Sequence, residues 1–154
     1  IHTALDIHSG YGAQNYLWWP YSFSKRRIPH SGVFEQMGAE LAARHPLYRI
    51  EPMSLSYQTH GDLWDRALIE FEEAKRQGKL PHKNLFLPLT LEIGTWDELK
   101  KNPFRVMQKR KIFNPPPQSR KFYVREHRQL IWDILHLHVS KADQRRYTRL
   151  RDAS

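Results

Sequence analysis

The chain has 154 residues, of which 40% are hydrophobic and 12% aromatic, so its length and composition favour one folded domain over two. It contains no cysteine, which excludes disulfides, thiolate zinc ligands and cysteine nucleophiles, and no run of about 18 apolar residues, which excludes a membrane-spanning helix. The formal charge of +9 falls on residues 97–154, where fifteen basic side chains outnumber six acidic ones, because residues 1–96 carry ten of each.

The first part of the sequence predicts two extended segments and a helix. An apolar run ending in Leu5–His8 indicates a strand, and the Ser-Gly-Tyr-Gly sequence around its end favours a turn. Asn15–Phe23 is rich in aromatic residues and predicts a second extended segment. A helix is expected to begin at Ser31 or Gly32 and to end before Pro46.

The remaining sequence predicts a loop, two further helices and a buried strand. Residues 45–61 are expected to form a loop, and Asp62 and Gly78 are suitable caps for the helix between them. The near-continuous apolar run Leu85–Ile93 predicts a strand buried on both faces. After a proline triplet, apolar residues recur at helical spacing over Phe122–Val139, which predicts a further helix. Alternating strands and helices predict an α/β/α sandwich with a mixed, mostly parallel sheet.

Three residues are candidates for chemistry. His8 lies at a strand end beside a glycine turn, where open α/β sheets bind ligands, although a lone histidine is more often structural. Glu92 sits in an apolar strand, so it is either a strand-end salt-bridge partner or a desolvated carboxyl whose raised pKa suits a general base. Tyr57 lies in a polar segment and offers a phenolic hydroxyl to a ligand, or is an exposed tyrosine without function.

Four sequence segments, taken in chain order, resemble the second half of a zinc carboxypeptidase of the carboxypeptidase A type. They are Asp6–Gly12, Trp19–Tyr21, Ser56–Gly61 with Asp65, and Leu89–Gly94. The resemblance covers roughly residues 2–96, and the family also ends in a helix where this chain has residues 122–139. It implies a phosphorylase/hydrolase-like fold whose N-terminal half is missing, with residues 1–154 forming the C-terminal part of one catalytic domain. The apolar opening at Ile1 agrees with that expectation.

The resemblance also implies a role for each matched residue. His8 corresponds to the third zinc ligand, and Ser9 and Gly10 correspond to the turn beside it, whose backbone lines the substrate cleft. Tyr57 matches the mobile tyrosine that covers the carboxyl-terminal residue of the substrate. Glu92 matches the general acid/base that takes a proton from the zinc-activated water and delivers it to the leaving amine.

The residues that would complete such a site are absent from the chain. The family has two further zinc ligands in an upstream His-x-x-Glu motif, together with an Asn-Arg pair and another Arg that bind the substrate. Because one histidine cannot hold catalytic zinc, we expect these 154 residues alone to be inactive. An ungapped alignment from Tyr57 places Trp64 in the specificity pocket, which its indole would narrow.

The sequence therefore predicts a zinc metallocarboxypeptidase that hydrolyses C-terminal peptide bonds, with a peptide or an amino-acid derivative as substrate. Two alternatives stay open within the same fold, namely a non-catalytic binding module and a zinc-dependent amino-acid deacylase. The basic helical region 97–154 could dock an acidic partner, whereas nucleic-acid binding rests on its charge alone and is a more distant alternative. The absence of cysteine favours a cytoplasmic, bacterial setting.

Overall fold

The structure, a computed structural model, describes residues 1–9, 14–93 and 117–139 together with Arg145 and Arg149. The described residues form four strands and four helices. In chain order these are β1 (His2–Ser9), β2 (Asn15–Trp19), α1 (Ser31–Arg44), β3 (Tyr48–Pro52), α2 (Met53–Ser56), α3 (Leu63–Arg76), β4 (Phe86–Ile93) and α4 (Pro117–Val139).

The strands form one mixed sheet in the order β1-β4-β2-β3. Strand β4 pairs with β1 in parallel and with β2 in antiparallel orientation, and β2 pairs with β3 in parallel. The predicted α/β fold with a mixed, mostly parallel sheet is therefore confirmed. None of the described helices is long and apolar enough to cross a membrane.

Most predicted elements lie where the sequence pattern placed them. Helices α1 and α3 match their predicted ranges, and the Asp62 carboxylate accepts hydrogen bonds from the backbone N–H groups of Trp64 and Asp65. Gly78 follows α3 with a φ of 71°, as expected of a C-terminal cap. Helix α4 begins earlier than predicted, at Pro117, because proline is compatible with the first turn of a helix.

Two expectations about extended and loop segments were wrong. The second extended segment ends at Trp19 and does not continue to Phe23. The predicted loop 45–61 contains both β3 and α2. Each of these two elements has no more than five residues, which is too short for a clear periodic pattern. The expected charged helix or tail at residues 140–154 lies outside the described residues except for Arg145 and Arg149.

Helices contact both faces of the sheet. On one face, Gly38 of α1 lets the helix approach the Trp19 indole so closely that an added Cβ would lie 3.0 Å from it. On the other face, the Phe71 ring of α3 packs 5.4 Å from the ring of Phe86. The core between these elements is rich in leucine and aromatic side chains, among them Leu17, Phe34, Leu41, Leu68, Leu87, Leu89 and Leu91.

Polar contacts hold helix α4 against β3 and against the C-terminal end of α1, where Arg44 lies 3.8 Å from Oδ2 of Asp133. The Tyr48 hydroxyl is hydrogen-bonded to Nδ1 of His127, and Nε2 of His45 lies 2.9 Å from Oδ2 of Asp133. His127 is 2% exposed, and burial lowers its pKa from 6.5 to about 4. The imidazole is therefore neutral in the folded protein at neutral pH.

The buried imidazole predicts a loss of stability in acid. Between pH 6.5 and 4 the unfolded chain binds a proton at His127 that the folded chain does not, so stability present at pH 7 falls as the pH drops. We expect this group to cost about 2 kcal/mol between pH 7 and 4.5. Urea unfolding at both pH values should show a smaller pH dependence in His127→Gln than in wild type. An equal dependence in the two proteins would contradict the assignment.

Candidate active site

Two rows of side chains cross one face of the sheet near the carboxyl ends of β1 and β4. Each row contains one residue from each of the four strands, aligned by the strand register. Because side chains alternate between the two faces of a strand, residues two apart lie on the same face, and so do both rows. The first row is His8, Glu92, Tyr16 and Arg49, and the second is Asp6, Thr90, Trp18 and Glu51. Residues from all four strands therefore meet at one surface.

His8 lies between two carboxylates in this arrangement. Its Nε2 lies 2.9 Å from Oδ2 of Asp6, and its Nδ1 lies 3.6 Å from Oε2 of Glu92. With Nε2–H donating to Asp6, the ring is oriented and Nδ1 faces Glu92. The His8 side chain is 54% exposed, so this nitrogen remains accessible to a ligand.

Glu92 is the least exposed of the three groups, at 18%. Burial raises the pKa of its carboxyl, His8 lowers it and the nearby Asp6 charge raises it, with a net shift upward. A carboxylate with a raised pKa binds a proton more readily than an exposed one. The environment of Glu92 therefore suits a group that accepts and returns protons.

Tyr57 lies at the same surface, directly after α2. The Trp18 Nε1–H donates to Oγ of Ser56 (3.2 Å), and the Ser56 hydroxyl donates to Glu51 (2.7 Å). The Trp18 and Tyr57 rings meet edge to face with centroids 5.6 Å apart. Burial raises the pKa of the Tyr57 phenol, and the charges of Glu92 and Asp62 raise it further. The phenol thus stays protonated at neutral pH and can donate a hydrogen bond.

The structure places His8 beside Glu92 and places Tyr57 on the same face beside Trp18, but it places Trp64 elsewhere. The Trp64 ring packs 6.3 Å from the ring of Phe86, at the opposite end of β4 from Glu92. These two ends are about 20 Å apart along the strand. Ser9 is the last residue of β1 and pairs with Ile93, whereas its side chain and the whole of Gly10 lie outside the described residues.

The sequence reasoning did not assign a role to Asp6 or to the support of Tyr57. Asp6 and His8 are two residues apart on a strand, so they share a face, and this spacing alone could have identified the pair. The contribution of Glu51 and Ser56 depends on β3 and α2, which the sequence pattern did not predict.

The described residues at this surface do not form a complete metal site. Within residues 1–9, 14–93 and 117–139, no group of three or more His, Asp or Glu side chains is placed to hold a metal ion. His8 nevertheless has the support that a metal-ligating histidine usually has, since one ring nitrogen is held by a carboxylate and the other is accessible. The donor chemistry fits one zinc ligand of a larger set.

Comparison of the chain with protein-family models, with curated proteins and with solved structures gives no match.

Proposed function

We propose that this chain is the C-terminal part of a zinc-dependent hydrolase of the carboxypeptidase type, with the α/β/α architecture of that family. The observation that carries the proposal is that His8 and Glu92 are neighbours on one face of the sheet and that Tyr57 lies on the same face, beside Trp18. These residues are distant in sequence, and the resemblance assigns all three to one site. Their proximity in the fold is what that assignment requires.

Each residue of the candidate site would have a separate role in hydrolysis. His8 would hold zinc, and Asp6 would keep its ring oriented. When bound, zinc would polarise the scissile carbonyl and acidify a water molecule. Glu92 would take a proton from that water and return it to the leaving amine. Tyr57 would donate a hydrogen bond to the substrate, and the remaining zinc ligands would come from outside these 154 residues.

The test is hydrolysis by the intact protein that contains this chain. We expect zinc-loaded protein to release an amino acid from a blocked dipeptide or from an N-acyl amino acid, and the preferred substrate distinguishes peptidase from deacylase. A chelator should abolish the activity and added zinc should restore it. Activity that resists the chelator, or binding of both substrates without turnover, would contradict the proposal.

A second prediction concerns Asp6. Asp6→Asn keeps the size of the side chain but weakens the hydrogen bond that orients His8, so zinc affinity should fall about 10- to 100-fold. Competition with a chromophoric chelator measures this affinity in the intact protein. Glu51→Gln is the matched control, because it removes a carboxylate from the same face without a contact to His8. Equal affinities in the two variants would mean that Asp6 does not position His8.

A further inference from the structure

Helix α4 presents three large apolar side chains on the side opposite the core. Val124 is 69% exposed, Trp132 46% and Leu135 47%, whereas Leu130 and Ile134 on the other side are fully buried. The exposed positions are spaced so that they share one helical face. From Val124 to Leu135 this face extends over about 17 Å, the length of roughly three helical turns.

The first half of the same face carries three cations. Within the described residues, Lys121, Arg125 and Arg128 form no ion pair, whereas arginines on other elements, such as Arg49 and Arg66, lie against carboxylates. Lys121, Arg125 and Arg128 also line, with Val124, a surface concavity of about 440 Å³. The outer face of α4 thus combines accessible apolar surface with three cations that no described carboxylate neutralises.

We propose that this outer face of α4 docks an acidic, amphipathic helical segment of a partner protein. Carboxylates on one half of that segment would neutralise Lys121, Arg125 and Arg128, and apolar side chains on its other half would cover Trp132 and Leu135. This inference is independent of the hydrolase proposal, since the face belongs to α4 and not to the sheet edge that carries Glu92.

Charge and geometry disfavour two other occupants. In a parallel symmetric pair, a second copy of the chain would bring the same three cations against each other, and in an antiparallel pair the cations would meet Trp132 and Leu135 without a carboxylate to neutralise them. An anionic membrane surface is contacted best by a broad, continuous apolar face flanked by cations. Here the first half of the face is basic, with Val124 between its cations, and Trp132 and Leu135 lie at the other end.

The experiment uses a fluorescein-labelled synthetic helix of about 18 residues. One face of this peptide carries Glu along half of its length and Leu along the other half. Fluorescence anisotropy should show saturable binding to the 154-residue chain that weakens as salt is added. Arg125→Glu with Arg128→Glu should weaken binding about tenfold or more, and Val124→Ser with Leu135→Ser about tenfold. A peptide with Lys in place of Glu should bind the charge-reversed variant better than wild type.

The matched control is Lys25→Glu with Arg26→Glu, which makes the same change in net charge at exposed positions of another surface. This control should bind the acidic peptide like wild type, and circular dichroism should show that each variant is folded. Equal binding by all variants, or no saturable binding, would overturn the proposal. Binding to phosphatidylglycerol vesicles without binding to the peptide would also overturn it, in favour of a membrane surface.

Discussion

Replacing Glu92 with glutamine is expected to lower kcat of the intact, zinc-loaded protein by about 10²- to 10⁴-fold. Glutamine has nearly the same shape but cannot accept a proton from water. The Glu92 carboxyl is largely buried, has a raised pKa and faces Nδ1 of His8 at 3.6 Å, which places it beside the proposed zinc ligand. The loss should appear mainly in kcat, with a small change in KM, because the proposal assigns binding of the substrate carboxylate to residues other than Glu92.

Two measurements make this result specific. Zinc content must be equal in wild type and Glu92→Gln, so that lost activity is not lost metal. Glu70→Gln, an exposed carboxylate on α3 that pairs with Arg66, should retain full activity. Unchanged turnover in Glu92→Gln would show that the role assigned to Glu92 is wrong, whatever the zinc content.

The largest expected effect on stability comes from Asp65. Its side chain is 4% exposed and accepts hydrogen bonds from the Ser22 backbone N–H (3.0 and 2.9 Å), the Ser22 hydroxyl (2.6 Å) and the Phe23 N–H (3.2 Å). Asp65→Ala leaves these donors without an acceptor, so we expect it to destabilise the fold by about 3 to 4 kcal/mol. The carboxylate joins α3 to the segment that follows β2.

Urea denaturation of three variants tests this expectation. Asp65→Asn keeps one acceptor oxygen and should lose about half as much stability as Asp65→Ala. Asp62→Ala removes the N-cap of the same helix and should cost about 1 kcal/mol. If Asp65→Ala were no less stable than Asp62→Ala, the buried hydrogen bonds would not be what holds this segment.

Whether the sequence predicts a helix or strand depends on the length of that element and on its capping residues. Helices α1 and α3 have fourteen residues each with recognisable boundary residues, and β4 is an apolar run with few alternatives. Strand β3 and helix α2 have five and four residues, so neither completes a pattern that distinguishes it from a loop. Because they were missed, the support of Tyr57 by Glu51 and Ser56 was missed as well.

The sequence suggests a set of candidate site residues but does not predict how these residues are arranged in space. Periodicity does not say that β4, which comes last in sequence, lies between β1 and β2. That order places Glu92 beside both His8 and Tyr16. Trp64 was placed by counting along the chain from Tyr57, and such counting ignores which face of α3 contacts Phe86. Long-range packing, and not local preference, decided both outcomes.

The coding sequence upstream of Ile1 tests the central proposal most directly, because the proposal assigns only one zinc ligand, His8, to these 154 residues. The proposal predicts a His-x-x-Glu pair and an Asn-Arg pair within roughly a hundred or so residues, the length a complete catalytic domain still requires. Finding both would complete the ligand set and the carboxylate-binding pair. Finding neither would contradict the zinc hydrolase and favour a binding module in which His8 and Glu92 do no chemistry.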